Sequence, residues 1–127
     1  MRYAGQSRDF TVEIVSSGPT AVVITSGEVD MLTSPRLEEA IEHAAARRPP
    51  RLVVDMSTVE FIDSAGLRVL LAAVPAVPEL RVVASPAVRR LLSMAGLSET
   101  IRVVDRVGDP VTAQPEGVGP VADAPPA

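Results

Sequence analysis

A chain of 127 residues with 46% apolar content and a net charge of −4 is enough for one domain with one core, and its acidity argues against a nucleic-acid partner, which needs clustered basic surface. The absence of cysteine excludes disulfides, thiol catalysis and cysteine-bound metals together, and Tyr3, Phe10 and Phe61 are too few aromatics for a base-stacking platform. No run approaches the roughly 18 apolar residues of a membrane span, and Met1-Arg2-Tyr3 leads into a polar stretch, so we expect neither insertion nor secretion and a cytoplasmic protein.

Residues 1–9 are polar and unpatterned and read as a loose end. From Phe10 the chain alternates, with Phe10, Val12 and Ile14 against Thr11, Glu13 and Val15, a half-buried strand stopped by Ser16-Ser17-Gly18-Pro19. Ala21 to Thr25 reads as a second strand, and a hairpin is the economical connection. Gly27-Glu28-Val29-Asp30 and Met31-Leu32 lead to Thr33 or Ser34 as a helix cap, with Pro35 at the first helical position. A helix from about Pro35 to Arg47 then turns Leu37, Ala40, Ile41 and Ala44 inward and Glu38, Glu39, Glu42 and Arg47 outward. His43, the one histidine, lies off that inward face, so a solvated helix residue is expected there rather than a metal ligand or general base.

Pro49-Pro50 ends the helix, and Arg51 to Asp55 is the third strand. After a polar interval, Phe61 and Ile62 deliver the chain to Asp63-Ser64-Ala65-Gly66, and Leu67, Leu70, Leu71 and Val74 recur at helical spacing until Pro75 and Pro78. Leu80 to Ala84 is a strand, Ser85-Pro86 a cap and first-turn proline, and Val88, Leu91, Leu92 and Ala95 a helical face closed by Gly96 and Leu97. Ile101 to Val104 reads as the last strand. The alternation implies an α/β fold: a mixed, mostly parallel sheet of about five strands with an N-terminal hairpin and helices packed on it. Beyond Asp105 the pattern fades. Asp109-Pro110 offers at most one helical turn, and the Pro- and Gly-rich stretch from about 115 is expected to be disordered. One domain over 10–108 and a tail over 109–127 follow.

Ser64 therefore sits where a buried strand passes into a helix, with a small side chain at Ala65 and none at Gly66 to leave it accessible. A helix start presents amides without intrahelical acceptors at the positive end of its dipole, which receives a hydroxyl, carboxylate or phosphate well. Two readings stand at this point: Asp63 or Ser64 is a plain N-cap, or Ser64 is a site. In an open α/β sheet the working crevice lies beyond the carboxyl ends of the strands. Asp30 after the second strand and Asp63-Ser64 after the third are expected to converge there, a small acidic neighbourhood around a hydroxyl.

The run Phe61-Ile62-Asp63-Ser64-Ala65-Gly66-Leu67, with Val53-Val54-Asp55 before it and Gly27-Glu28-Val29-Asp30 upstream, resembles the STAS domain, specifically the bacterial anti-sigma factor antagonists. The resemblance runs from about Phe10 to Val104. It implies that Ser64 is a phosphoacceptor, with Asp30, Asp63, Ala65 and Gly66 around it. It further implies that the unmodified chain binds an anti-sigma factor with serine-kinase activity, freeing a sigma factor, and that the kinase ends the interaction by phosphorylating Ser64 from Mg–ATP. A separate serine phosphatase restores it. The contact surface expected is the loop Asp30, Met31, Leu32 and Thr33 and the helix start at Ser64, Ala65, Leu67 and Arg68. The family commonly carries a second hydroxyl where this chain has Ala65, which leaves a single acceptor in the turn.

Two rivals compete. Small STAS domains also serve as regulatory subunits of membrane transport complexes without being phosphorylated. An enzyme is the other: Asp30, Asp55 and Asp63 superficially suggest a Mg²⁺ or aspartyl-phosphate site, but the chain has no lysine, no P-loop, no Gly-x-Ser-x-Gly elbow and no histidine placed to activate Ser64. Asp55 is more simply a strand-end residue accepting hydrogen bonds from the following loop. No cofactor or metal is expected.

Overall fold

Gly18-Pro19 makes the first turn, a two-residue loop between Ser17 and Thr20 in which Gly18 takes the positive φ of 61° that tight hairpin turns demand. In this computed structural model, which describes residues 9–108, the hairpin joins β1 (Phe10–Ser17) to β2 (Thr20–Val29). There follow α1 (Ser34–Ala46), β3 (Arg51–Ile62), α2 (Ser64–Ala76), β4 (Leu80–Ala84), α3 (Pro86–Met94) and β5 (Val103–Val104). The described strands form one sheet in the order β1-β2-β3-β4-β5. β1 runs antiparallel to β2 and every other neighbouring pair is parallel. This is the mixed α/β sheet expected from the alternation of strand and helix. The readings for residues 1–8 and for the tail from 109 lie outside the described residues.

One face of the sheet carries the main core. Phe10, Val23, Leu52, Val54, Met56 and Val82 pack against Leu37, Ile41, Leu70, Val88 and Leu92 of the three helices. The opposite face buries a smaller cluster, Val22, Val53, Val83 and Val104. α1 buries Leu37, Ala40, Ile41 and Ala44 as its spacing predicts, and His43 is exposed. α3 is capped by Ser85, whose Oγ accepts from the Val88 amide at 3.2 Å. It closes with Gly96 at φ 74° while the Leu97 amide reaches back to the Leu92 carbonyl at 2.8 Å, the left-handed closure that Gly-Leu predicts.

Four expectations need correction. β2 and β3 are both far longer than their apolar runs. β3 does not end at Asp55 but continues to Ile62, and β2 extends to Val29 beside it. Two register shifts explain why the sequence conceals this: Ile24 pairs with Asp55 but Ser26 with Thr58, and Gly27 pairs with Val59 but Glu28 with Phe61. Each shift inserts one extra residue into β3, a bulge. The positions of β3 buried on the helix-covered face therefore fall at Leu52, Val54, Met56, Val59 and Ile62, and the period of two breaks midway. Asp55 accepts from the Ser57 amide at 3.0 Å at the first bulge, the hydrogen bond expected of it, but within a strand that continues.

The buried stripe of α2 is Gly66, Val69, Leu70 and Ala73, with Leu67, Leu71 and Val74 only partly buried beside it. The expected face is rotated by about one residue, because glycine at 66 lets the helix settle closer to the sheet than its leucines suggest. α2 also passes through Pro75 to Ala76. A proline in the last turn forfeits a single backbone bond, and the Val77 amide still reaches the Ala73 carbonyl at 3.1 Å. Finally, β5 is two residues long rather than four; Ile101 is buried ahead of it without strand pairing.

Candidate functional site at the β3–α2 junction

The ends of β2 and β3 are held side by side. Val29 pairs with Ile62, and the Asp63 amide donates to the Val29 carbonyl at 3.1 Å. Asp30 and Asp63, the next residues of each strand, thus leave the sheet together at its carboxyl end, as the topology predicts. Gly27 secures the β2 side: its φ is 93°, and a Cβ there would overlap the Asp9 carbonyl, which instead accepts from the Glu28 amide at 2.7 Å.

Asp63 is the N-cap of α2. Its Oδ1 accepts from the Ala65 amide at 2.9 Å and the Gly66 amide at 3.4 Å, which settles the cap between the two candidates. Ser64 is then the first helical residue, and it is exposed. Gly66 sets how closely this turn approaches the sheet. A Cβ there would lie 2.7 Å from Val29 Cγ1 and 2.8 Å from Ile62 Cγ1, so only glycine lets the first turn of α2 rest on the ends of both strands.

Asp30 builds its own loop in the same manner. Its Oδ1 accepts from the Leu32 amide at 2.9 Å and the Thr33 amide at 3.0 Å, a turn closed by the residue's own side chain. Thr33 is buried and turned inward. Its Oγ1 accepts from the Asp30 amide at 2.9 Å and donates to the Glu28 carbonyl at 2.8 Å. It therefore shapes the loop from beneath and makes no side-chain cap to α1, unlike the capping role open to Thr33 in the sequence. The product of this bonding is a tight turn that thrusts Met31 and Leu32 outward, 73% and 70% exposed. Ala65 and Leu67 are half-buried, Gly66 is buried and Arg68 is exposed.

One residue of this end escaped the sequence reading. Phe61 is 48% exposed, because the second bulge, at Glu60, turns it out while Ile62 goes in. The signal was present as a break of alternation, Val59 and Ile62 three apart, but it required knowing that β3 continued. Like Met31 and Leu32 it is an exposed apolar side chain at the end of the sheet that carries Ser64.

The chain is similar to known proteins in sequence and fold. The STAS domain family model matches residues 11–109. Over 106 residues the chain is 37% identical to the anti-sigma-F factor antagonist RsfB of Mycobacterium tuberculosis, covering 80% of this chain and 87% of that protein. The crystal structure of an anti-sigma factor antagonist from Mycobacterium paratuberculosis superposes with a TM-score of 0.75 at 39% identity, covering 82% of this chain and 92% of the other. SpoIIAA of Bacillus shares the fold at lower identity. Its unphosphorylated form gives a TM-score of 0.59 at 20% identity (75% and 87% covered) and its phosphorylated form 0.54 at 19% (75% and 90%). The chain belongs to the STAS domain family, among the anti-sigma factor antagonists, which are regulatory and not enzymatic proteins.

Proposed function

We propose that this chain is an anti-sigma factor antagonist whose docking is switched by phosphorylation of Ser64. The observation that carries the reading is an exposed hydroxyl at the first residue of α2, at the same end of the sheet as the exposed Met31, Leu32 and Phe61. The 37% identity to a protein that antagonises an anti-sigma-F factor supports the partner class. The unmodified chain docks through the Asp30 to Thr33 loop, Phe61 and the start of α2 onto an anti-sigma factor with serine-kinase activity, which releases a sigma factor in the cytoplasm. That kinase, with Mg–ATP, phosphorylates Ser64; a serine phosphatase restores the free form.

Phosphorylation adds about −1.5 to −2 charge at neutral pH. The helix dipole offsets about 0.3–1 kcal/mol of it, and the two nearest amides already serve Asp63. A partner carboxylate about 6 Å away, at an effective dielectric near 20, repels the phosphate by ~5 kcal/mol. Even ~3 kcal/mol is more than a hundredfold in affinity.

Incubation with the kinase partner and Mg–ATP, followed by peptide mass spectrometry, is expected to place one phosphate on Ser64. Ser64→Ala is expected to bind constitutively. A phosphate on another residue, or equal affinity of modified and bare forms for the kinase, refutes the reading.

A further inference from the structure

Arg68 is the only charged residue of α2, and it stands one helical turn after Ser64. Both residues are exposed, whereas the stripe that the helix buries is Gly66, Val69, Leu70 and Ala73. At about 3.6 residues per turn, Ser64 and Arg68 share a face nearly opposite that stripe. Helix neighbours so spaced have Cβ atoms about 5–6 Å apart, and helical side chains lean toward the N-terminus, so the later and longer member of the pair reaches back over the first turn. A group carried on Ser64 Oγ is within range of the Arg68 guanidinium.

Among the described residues Arg68 has no salt bridge and no side-chain hydrogen bond. Arg36, the other arginine of this end, already lies over the Phe10 ring, its Cζ 5.0 Å from the centroid. Against these two cations stand Asp9, Glu28, Asp30, Glu60 and Asp63, where the start of β1 meets the ends of β2 and β3. The helix start has little left to offer an anion: the Ala65 and Gly66 amides donate to Asp63 Oδ1, and the Leu67 amide donates to the Asp63 carbonyl at 3.1 Å. A phosphate on Ser64 therefore enters acidic surroundings with its usual amide donors taken, and Arg68 is the uncommitted cation one turn away.

We propose that Arg68 is the intramolecular partner of the Ser64 phosphate, its guanidinium pairing with the phosphoryl oxygens in the free chain, an inference that rests on the phosphorylation reading above. Guanidinium and phosphate match in geometry as well as charge. In the bare chain the same guanidinium is unengaged and stands on the docking face. Phosphorylation then changes that face twice: it adds negative charge at Ser64 and draws back the cation one turn on. A partner carboxylate that meets Arg68 in the complex loses its counter-ion as it gains a repulsive neighbour.

Phosphoserine installed at position 64 during translation, followed by phosphorus NMR titration of the full chain, tests this with neither kinase nor partner. The second phosphate pKa, ordinarily about 6, is expected to rise by about 0.3–0.5 unit in Arg68→Gln at low salt, the size of an exposed ion pair one helical turn apart. The gap between the two chains is expected to close in about 1 M salt, and Arg68→Lys, which keeps the charge, is expected to retain most of the depression. Arg36→Gln removes the same charge from the same end of the sheet and is expected to leave the titration in place. An unchanged titration in Arg68→Gln, or an equal shift in Arg36→Gln, overturns the proposal. Because translation places the phosphate, neither result depends on which residue a kinase modifies, and a kinase that modifies another residue refutes the phosphorylation reading without moving this titration.

Discussion

Phe61 offers the most direct test of the docking surface, because its exposure is a product of the bulge and not of the apolar pattern. A phenylalanine buries about 200 Å² when fully enclosed; at 48% exposed, about 100 Å² of it remains to be covered. At about 25 cal/mol per Å² a partner that covers this area gains ~2.5 kcal/mol, close to seventyfold in Kd. Phe61→Ala in the unphosphorylated chain is expected to weaken calorimetrically measured binding to the anti-sigma partner by that order, under conditions where the thermal melt shows the variant folded. Val15→Ala is the control. Val15 is 41% exposed and apolar, but it pairs with Val22 near the hairpin turn, at the other end of the sheet from Ser64. Its removal is expected to change Kd by less than twofold. If Phe61→Ala binds within threefold of the parent, or if Val15→Ala loses as much, the surface assigned to docking is wrong.

Two further substitutions probe how the junction is held. Gly66→Ala places a Cβ under 3 Å from Val29 and Ile62; overpacking costs about 1–3 kcal/mol against a helix-propensity gain of up to about 1 kcal/mol, so a melting temperature lowered by a few degrees is expected. A melt raised above the parent's would mean that the contact at 66 is slack. Asp63→Ala removes both cap hydrogen bonds and is expected to cost about 1 kcal/mol, or about 4–8 °C in Tm, whereas Asp63→Asn keeps an acceptor and most of the stability. Equal melts for the two variants would deny the cap its role.

Much of this architecture is legible in the residues because local and global signals agree: the Leu37, Ala40, Ile41 and Ala44 stripe, the Ser85-Pro86 cap and the Gly96-Leu97 closure all stand as read. What was hidden is the long-range pairing. No periodicity in residues 57–62 announces a strand; β2, supplying partners as far as Val29, makes it one. The junction was legible in outline, since a strand end, a cap and a small-residue turn place Ser64 unaided. The work of Asp30 and Thr33 was not, because a carboxylate that folds its own loop and one that faces a partner look alike in sequence. The same bulges that concealed β3 turned Phe61 outward.

Under the proposed switch, the fold must tolerate a charge that the complex cannot. In the free chain Ser64 is solvated, and a phosphate about 5 Å from the Asp63 carboxylate, screened by bulk water, is repelled by ~1.5 kcal/mol. That is small beside the 5–15 kcal/mol typical of a domain's stability, and the core packs beneath it through Val59 and Ile62 without using the hydroxyl. Docking displaces the water, lowers the effective dielectric about fourfold and brings a second set of charges to this end of the sheet, so the same phosphate then costs ~5 kcal/mol. The difference between those two costs, and not any rearrangement of the sheet, is what separates the bound from the free state. SpoIIAA shares this fold in both its unphosphorylated and its phosphorylated form.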